Sequence, residues 1–109
     1  MNQEKKDKNI NRLISLFTSG KIAQCREEAK KASEIYPNEP FLFNLLGVVH
    51  AEANLFKDAI SYYKKAINLN PNYFEVYNNI GVAYTHWKKL ENAIDSLKQA
   101  IKLNPLYAE

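Results

Sequence analysis

Cysteine, glycine and long apolar runs are all scarce in this sequence, and each scarcity closes off a class of protein. A single cysteine, Cys25, leaves no intramolecular disulfide framework and no cysteine-based metal site, so a reducing, cytoplasmic setting is the default expectation. No apolar stretch approaches the ~18 residues that span a bilayer. The lead-in MNQEKKDKN precedes a short apolar segment over 10–17 that Asn11, Arg12 and Ser15 interrupt, which is not a signal-peptide core. No membrane partner is expected. With three glycines in all there is no phosphate-cradling loop, and HExxH, a nucleophile elbow and Cys/His metal spacing are also missing. Of the two histidines, His50 stands in the register of Tyr84, a packing position, and His86 is a lone base without an orienting partner, which is not a mechanism. The reading is a non-catalytic protein with no cofactor and no metal.

What is present is ordinary in amount and regular in spacing. At 109 residues, 46% hydrophobic and 25% charged, the chain fits one soluble globular domain. The segment FEVYNNIGVAYTHWKKLENAIDSLKQAIKLNP over 74–105 is nearly repeated upstream. Gly81 stands over Gly47, Ala93 over Ala59, Ala100 over Ala66 and Pro105 over Pro71, each pair 34 residues apart, and Asn78/Asn44 and Val82/Val48 keep the same register. A fixed period of this size marks a stacked repeat array. A glycine inside a helix costs ~1 kcal/mol relative to alanine, so two in register point to close helix approach.

These residues resemble the tetratricopeptide repeat (TPR) family. The pattern is carried by Tyr77, Ile80-Gly81, Tyr84, Ala93, Leu97, Ala100 and Pro105, and one period earlier by Phe43, Leu46-Gly47, His50, Ala59, Tyr63, Ala66 and Pro71. The resemblance implies an all-α fold, a right-handed α-α superhelix of three helix pairs with repeats near 6–39, 40–73 and 74–107. The first copy is divergent. Pro37, Ala32 and Cys25 keep the register, but Leu13 stands at the glycine position and Ala29 where Tyr63 and Leu97 stand. A large-for-small and a small-for-large exchange conserve volume, which cores tolerate best.

Apolar spacing predicts helices over 5–19, 22–36, 39–53, 56–69, 73–87 and 90–103. Asn70-Pro71 and Asn104-Pro105 end two of them, because the residue before proline avoids the helical conformation. Within each pair the turn falls at Gly20, Asn54 and Lys88. Glycine and asparagine suit a left-handed closing residue; lysine does not, so strain or a different turn is expected at Lys88.

The resemblance also implies that the first helix of each pair lines a concave groove for a peptide or partner protein. By register the groove would be lined by Ile10, Asn11, Ile14, Phe17 and Thr18, then Phe41, Asn44, Leu45, Val48 and Glu52, then Glu75, Asn78, Asn79, Val82, Thr85 and His86. Of these, Asn11, Phe41, Asn44, Asn78, Asn79, Val82 and His86 are the candidate peptide contacts. Asparagine carries donors and an acceptor and pairs with a peptide backbone without reading its sequence. Asparagine rows of this type line the peptide O-GlcNAc transferases, and YNNIGVAY looks like their repeats, although Leu45 interrupts the row.

Charge narrows the partner. Every lysine and arginine falls outside 40–53 and 74–87, whereas Glu52 and Glu75 fall inside them. TPR domains that grip chaperone C-terminal carboxylates need cations there, so that activity is not expected. Nucleic acid is not expected either, despite a net charge of +3, because phosphate contacts require clustered cations. Two further expectations concern the chain's end, which falls where another repeat would start. The chain reads as a piece of a longer protein, or else as one whose last face another molecule covers; the alternative to a non-catalytic interaction module is the N-terminal, substrate-presenting part of a glycosyltransferase- or sulfotransferase-like enzyme. The last helix would leave an apolar face of Ile94, Leu97, Ile101, Leu103 and Tyr107 for self-association.

Overall fold

The computed structural model describes the backbone of residues 2–105 and the side chains of residues 3–105. Six α-helices fill this stretch: α1 (Asn2–Thr18), α2 (Ile22–Ile35), α3 (Pro40–Glu52), α4 (Phe56–Leu69), α5 (Phe74–His86) and α6 (Leu90–Leu103). Each lies within three residues of its sequence-predicted bounds at either end. Each helix packs on its neighbours in the chain, and α3 also touches α5. That second-neighbour contact makes α3 and α5 into one continuous wall.

The repeat is visible in the hydrogen bonds. Tyr36, Asn70 and Asn104 each donate a backbone N–H to the alanine four residues earlier, at 2.8, 2.9 and 3.0 Å, and so close α2, α4 and α6 alike. The intra-pair turns repeat too. Gly20, Asn54 and Lys88 have φ of 80°, 61° and 63°, and the next residue in each donates to the carbonyl five back: Lys21 to Leu16, Leu55 to His50, Lys89 to Tyr84. This is the Schellman closure, which requires a left-handed residue. Lys88 therefore keeps the shared turn and takes the conformation that a Cβ disfavours.

Small residues bring the pairs together. An added Cβ on Gly47 would lie 2.3 Å from Cδ1 and Cε1 of the Tyr63 ring, and one on Gly81 would lie 2.6 Å from Leu97 Cγ and 3.4 Å from the Ala93 carbonyl oxygen. Helix α4 rests its aromatic ring, and α6 its leucine, on the bare backbone of the preceding helix. Cys25, Ala59 and Ala93, in one register, are all buried, as are Ala32, Ala66 and Ala100. Leu13 and Ala29 are buried as well, at the positions which face one another in the two later pairs. The Cys25 thiol donates to the Leu13 carbonyl at 3.4 Å, so Cys25 packs as a small buried side chain in the register of Ala59 and Ala93. Leu42, Leu46, Val49 and Val76 are the largest side chains sealed completely, which puts the core between the second pair and its neighbours. No helix of the described residues is long and apolar enough to cross a membrane.

Candidate functional site: the concave wall of α3 and α5

Helices α3 and α5 present the same register to the open side of the wall. On α3, Phe41, Asn44 and Val48 are half-buried and Glu52 is exposed; on α5, Asn78 and Asn79 are half-buried while Val82, Thr85 and His86 are exposed. Leu45 departs from expectation. It is 6% exposed and belongs to the core, because successive residues Leu45 and Leu46 both turn inward where α3 is wedged between α2, α4 and α5. The gap in the asparagine row is thus a core position, not a groove side chain.

The asparagines are tied to one another. Asn79 Nδ2 donates to Asn44 Oδ1 at 2.9 Å, and Asn44 in turn hydrogen-bonds the Tyr73 hydroxyl. This relay runs across α3, the start of α5 and back, so two of the candidate contacts brace the wall locally. Burial first, then Glu75, holds the Tyr73 phenol above its usual range in spite of the Asn44 hydrogen bond. Asn78 takes no part in the relay. Phe41 packs partly against the core, and its N–H donates to the Glu39 carboxylate at 3.4 Å. Asn11 is exposed on α1.

Where α3 and α5 end side by side, a notch of about 330 Å³ opens between them. Its lining joins three candidate residues, Asn79, Val82 and His86, to Val48, Ala51, Glu52, Asn54, Phe56, Tyr63 and Ala83. Val82 is 45% exposed, a large apolar side chain left open on the wall. The His86 ring donates from Nδ1 to the Val82 carbonyl at 3.0 Å and lies stacked over Phe56 at 6.3 Å. Phe56 and Tyr63 were missed by reasoning that assigned the groove to first helices alone. Both come from α4: the Tyr63 ring reaches the wall over the bare Gly47 backbone, and Phe56 reaches it from the first turn of the helix. The glycine register was the available signal for Tyr63.

His50 is placed as a packing residue. It is 2% exposed, donates from Nδ1 to the Leu46 carbonyl at 2.7 Å and lies 4.8 Å from the Tyr62 ring. Burial pushes its pKa below the ordinary imidazole value, which keeps it neutral. No group of three metal-ligating side chains occurs among the described residues.

On α6, Leu90, Ile94 and Ile101 are 60%, 52% and 45% exposed. Leu97 is half-buried against Gly81 and Leu103 is half-buried, so these two candidates for a self-association face serve the interior at least in part. Tyr107 lies outside the described residues.

Two family models match the chain, a tetratricopeptide repeat over residues 74–107 and a TPR repeat over residues 51–85. Among solved structures, the first TPR of Spaghetti (RPAP3), bound to the HSP90 peptide SRMEEVD, is 24% identical with a TM-score of 0.88, covering 94% of this chain and 81% of that one. The second TPR of the same protein, bound to the same peptide, is 18% identical with a TM-score of 0.87, covering 94% and 95%. A mutant of MamA is 23% identical with a TM-score of 0.85, covering 92% and 73%. At these identities the likeness establishes the fold. No curated protein matches the chain.

Proposed function

The chain belongs to the tetratricopeptide repeat family, and on that premise we propose that it is a non-catalytic interaction module whose concave wall binds an extended peptide of a partner protein. The observation that carries this reading is the wall itself: exposed Val82, half-buried Asn78 and an open notch, on a surface without lysine or arginine in 40–53 and 74–87. Apolar area left open beside amides that can pair with a peptide backbone is what a peptide groove needs. The peptide held by the Spaghetti domains supports a peptide as the ligand class, since the fold is shared. Its acidic end does not carry over, because Glu52 and Glu75 would repel it and no cation on these two segments would offset them. The finer likeness to O-GlcNAc transferase repeats rests in this reading on Asn78, the wall asparagine outside the Asn79–Asn44–Tyr73 relay. A substrate-presenting role within a glycosyltransferase- or sulfotransferase-like enzyme would use the same wall.

The relay changes which substitutions test the groove. Changing Asn44, Asn78 and Asn79 together to alanine would lower the melting temperature as well as any binding, because it removes a half-buried bridge. Asn78→Ala with Val82→Arg leaves the relay intact. Against peptides selected from a random library by the full chain, this double variant should bind at least about tenfold more weakly at an unchanged melting temperature. Undiminished binding, or a chain that selects no peptide at all, would remove the groove assignment.

A second reading, self-association through α6, is favoured by the exposure of Leu90, Ile94 and Ile101. Sedimentation should then show a concentration-dependent dimer that Ile94→Lys abolishes.

A further inference from the structure

The notch has a chemistry more specific than that of the wall around it. Val48, Val82 and Ala83 give it an apolar flank, and Asn54, Asn79 and His86 share the lining. Glu52 shares the lining, an exposed carboxylate with no ion-pair partner among the described residues. The last turns of α3 and α5 both end here, and the C-terminal end of a helix carries a partial negative charge equivalent to roughly half an elementary charge. The N-terminal end of α4 begins at Phe56 in the same lining and carries the opposite partial charge, so the full charge of Glu52 sets the local sign, and none of the residues lining the notch is a lysine or arginine.

Tyr63 supplies an independent pointer. The residue is 3% exposed, and its hydroxyl has no hydrogen-bond partner among the described residues. Yet no buried polar side-chain atom in them is left unsatisfied, so the oxygen opens into the cavity that the residue lines. Burial, and after it the Glu52 carboxylate, holds the phenol well above its ordinary range, so it stays neutral and can accept a hydrogen bond. Beside it, Phe56 offers an aromatic ring to the same space.

We propose that this notch is a subsite for a lysine or arginine side chain of the bound peptide, with the stem against Val48, Val82 and Ala83, the charge at Glu52, and an N–H donated to the Tyr63 hydroxyl. A long basic side chain is apolar along its length and charged at its tip, which matches a lining that sets Val48, Val82 and Ala83 beside Glu52 and Tyr63. An aromatic ring adds attraction for a cation and none for a carboxylate. An acidic side chain would meet Glu52, of its own sign, and a purely apolar one would leave Glu52 and the Tyr63 hydroxyl unused. The inference rests on the groove reading for the peptide backbone, but the subsite has its own consequences.

Nα-acetyl-lysine methylamide, its arginine counterpart and the neutral norleucine counterpart, titrated into the ¹⁵N-labelled full chain, test the subsite without any peptide. The two basic compounds should shift the amides of Glu52, Asn79 and His86 and the norleucine compound should not. Glu52→Gln, which keeps the shape and removes the charge, should weaken the basic compounds about fivefold, while Glu75→Gln leaves them unchanged. Tyr63→Phe keeps the ring that fills the space over Gly47 and should give a smaller loss. Equal binding of the norleucine compound, indifference to Glu52→Gln, or shifts elsewhere would overturn the subsite. Library peptides that bind the wall without enrichment for lysine or arginine would also overturn it and leave the groove standing; basic compounds seated in the notch of a chain that selects no peptide would uphold it while the groove reading fell.

Discussion

In the second and third helix pairs the first helix yields space and the second fills it: Gly47 lies against Tyr63, and Gly81 against Leu97. In the first pair the roles are exchanged, with Leu13 on the first helix and the small Ala29 on the second, both buried. The first pair is also held from outside by Arg12, which donates from Nε and Nη2 to the two Glu28 oxygens at 2.6 and 3.0 Å. That guanidinium, together with Gln24, pulls the Glu28 carboxyl down to about 2. The comparison teaches that the spacing of a helix pair is set by the summed volume at two facing positions. Which helix carries the bulk decides something else, namely what the wall shows. Where the second helix carries it, as in the second pair, an aromatic side chain reaches through to the concave side. The first pair, with its bulk on the wall helix, has no equivalent of the Tyr63 hydroxyl there.

The largest way to break this comparison is to remove the bulk from the first pair. Leu13→Ala should cost about 3 kcal/mol in denaturant unfolding, the usual range for an unfilled leucine site. Adding Ala29→Leu should restore much of the loss by remaking the pattern of the later pairs. Absence of rescue would mean that positions 13 and 29 do not share one space. Next comes Gly47→Ala, whose new Cβ meets ring atoms of a buried tyrosine. It should destabilise by about 2 kcal/mol, even though alanine is the better helix former. Gly81→Ala should cost about half as much, because Leu97 is half-buried and can shift away. The smallest effect separates the turns. Lys88→Gly relieves a left-handed lysine and should stabilise by about 0.5 kcal/mol, whereas Gly20→Ala at the matching turn should destabilise.

The period made most of the fold legible. Once the glycines, alanines and prolines had been placed 34 residues apart, helix order, pair turns and the facing of positions 47 and 63 followed from packing alone. The concave wall was legible in part. Val82 and His86 stand open on it as their register requires, but a one-dimensional register could not show that the flanks of α3 are covered, which sends Leu45 into the core. Nor could it show that Asn79 leans across to Asn44, since that bond joins residues 35 apart, one step off the repeat. Phe56 and Tyr63 were hidden for related reasons: Tyr63 reaches the wall where the helix in front is cut away to Gly47, and Phe56 reaches it from the first turn of α4, beside the ends of α3 and α5.

Two surfaces of the molecule expose apolar side chains, the wall at Val82 and the outer face of α6, and they make rival claims on a partner. Amide shift mapping of the full chain with a library-selected peptide decides between them most directly. Binding at the wall predicts shifts on α3 and α5, at Val48, Glu52, Asn78 and Val82, with α6 unmoved. Shifts concentrated at Leu90, Ile94 and Ile101, with the wall silent, would contradict it.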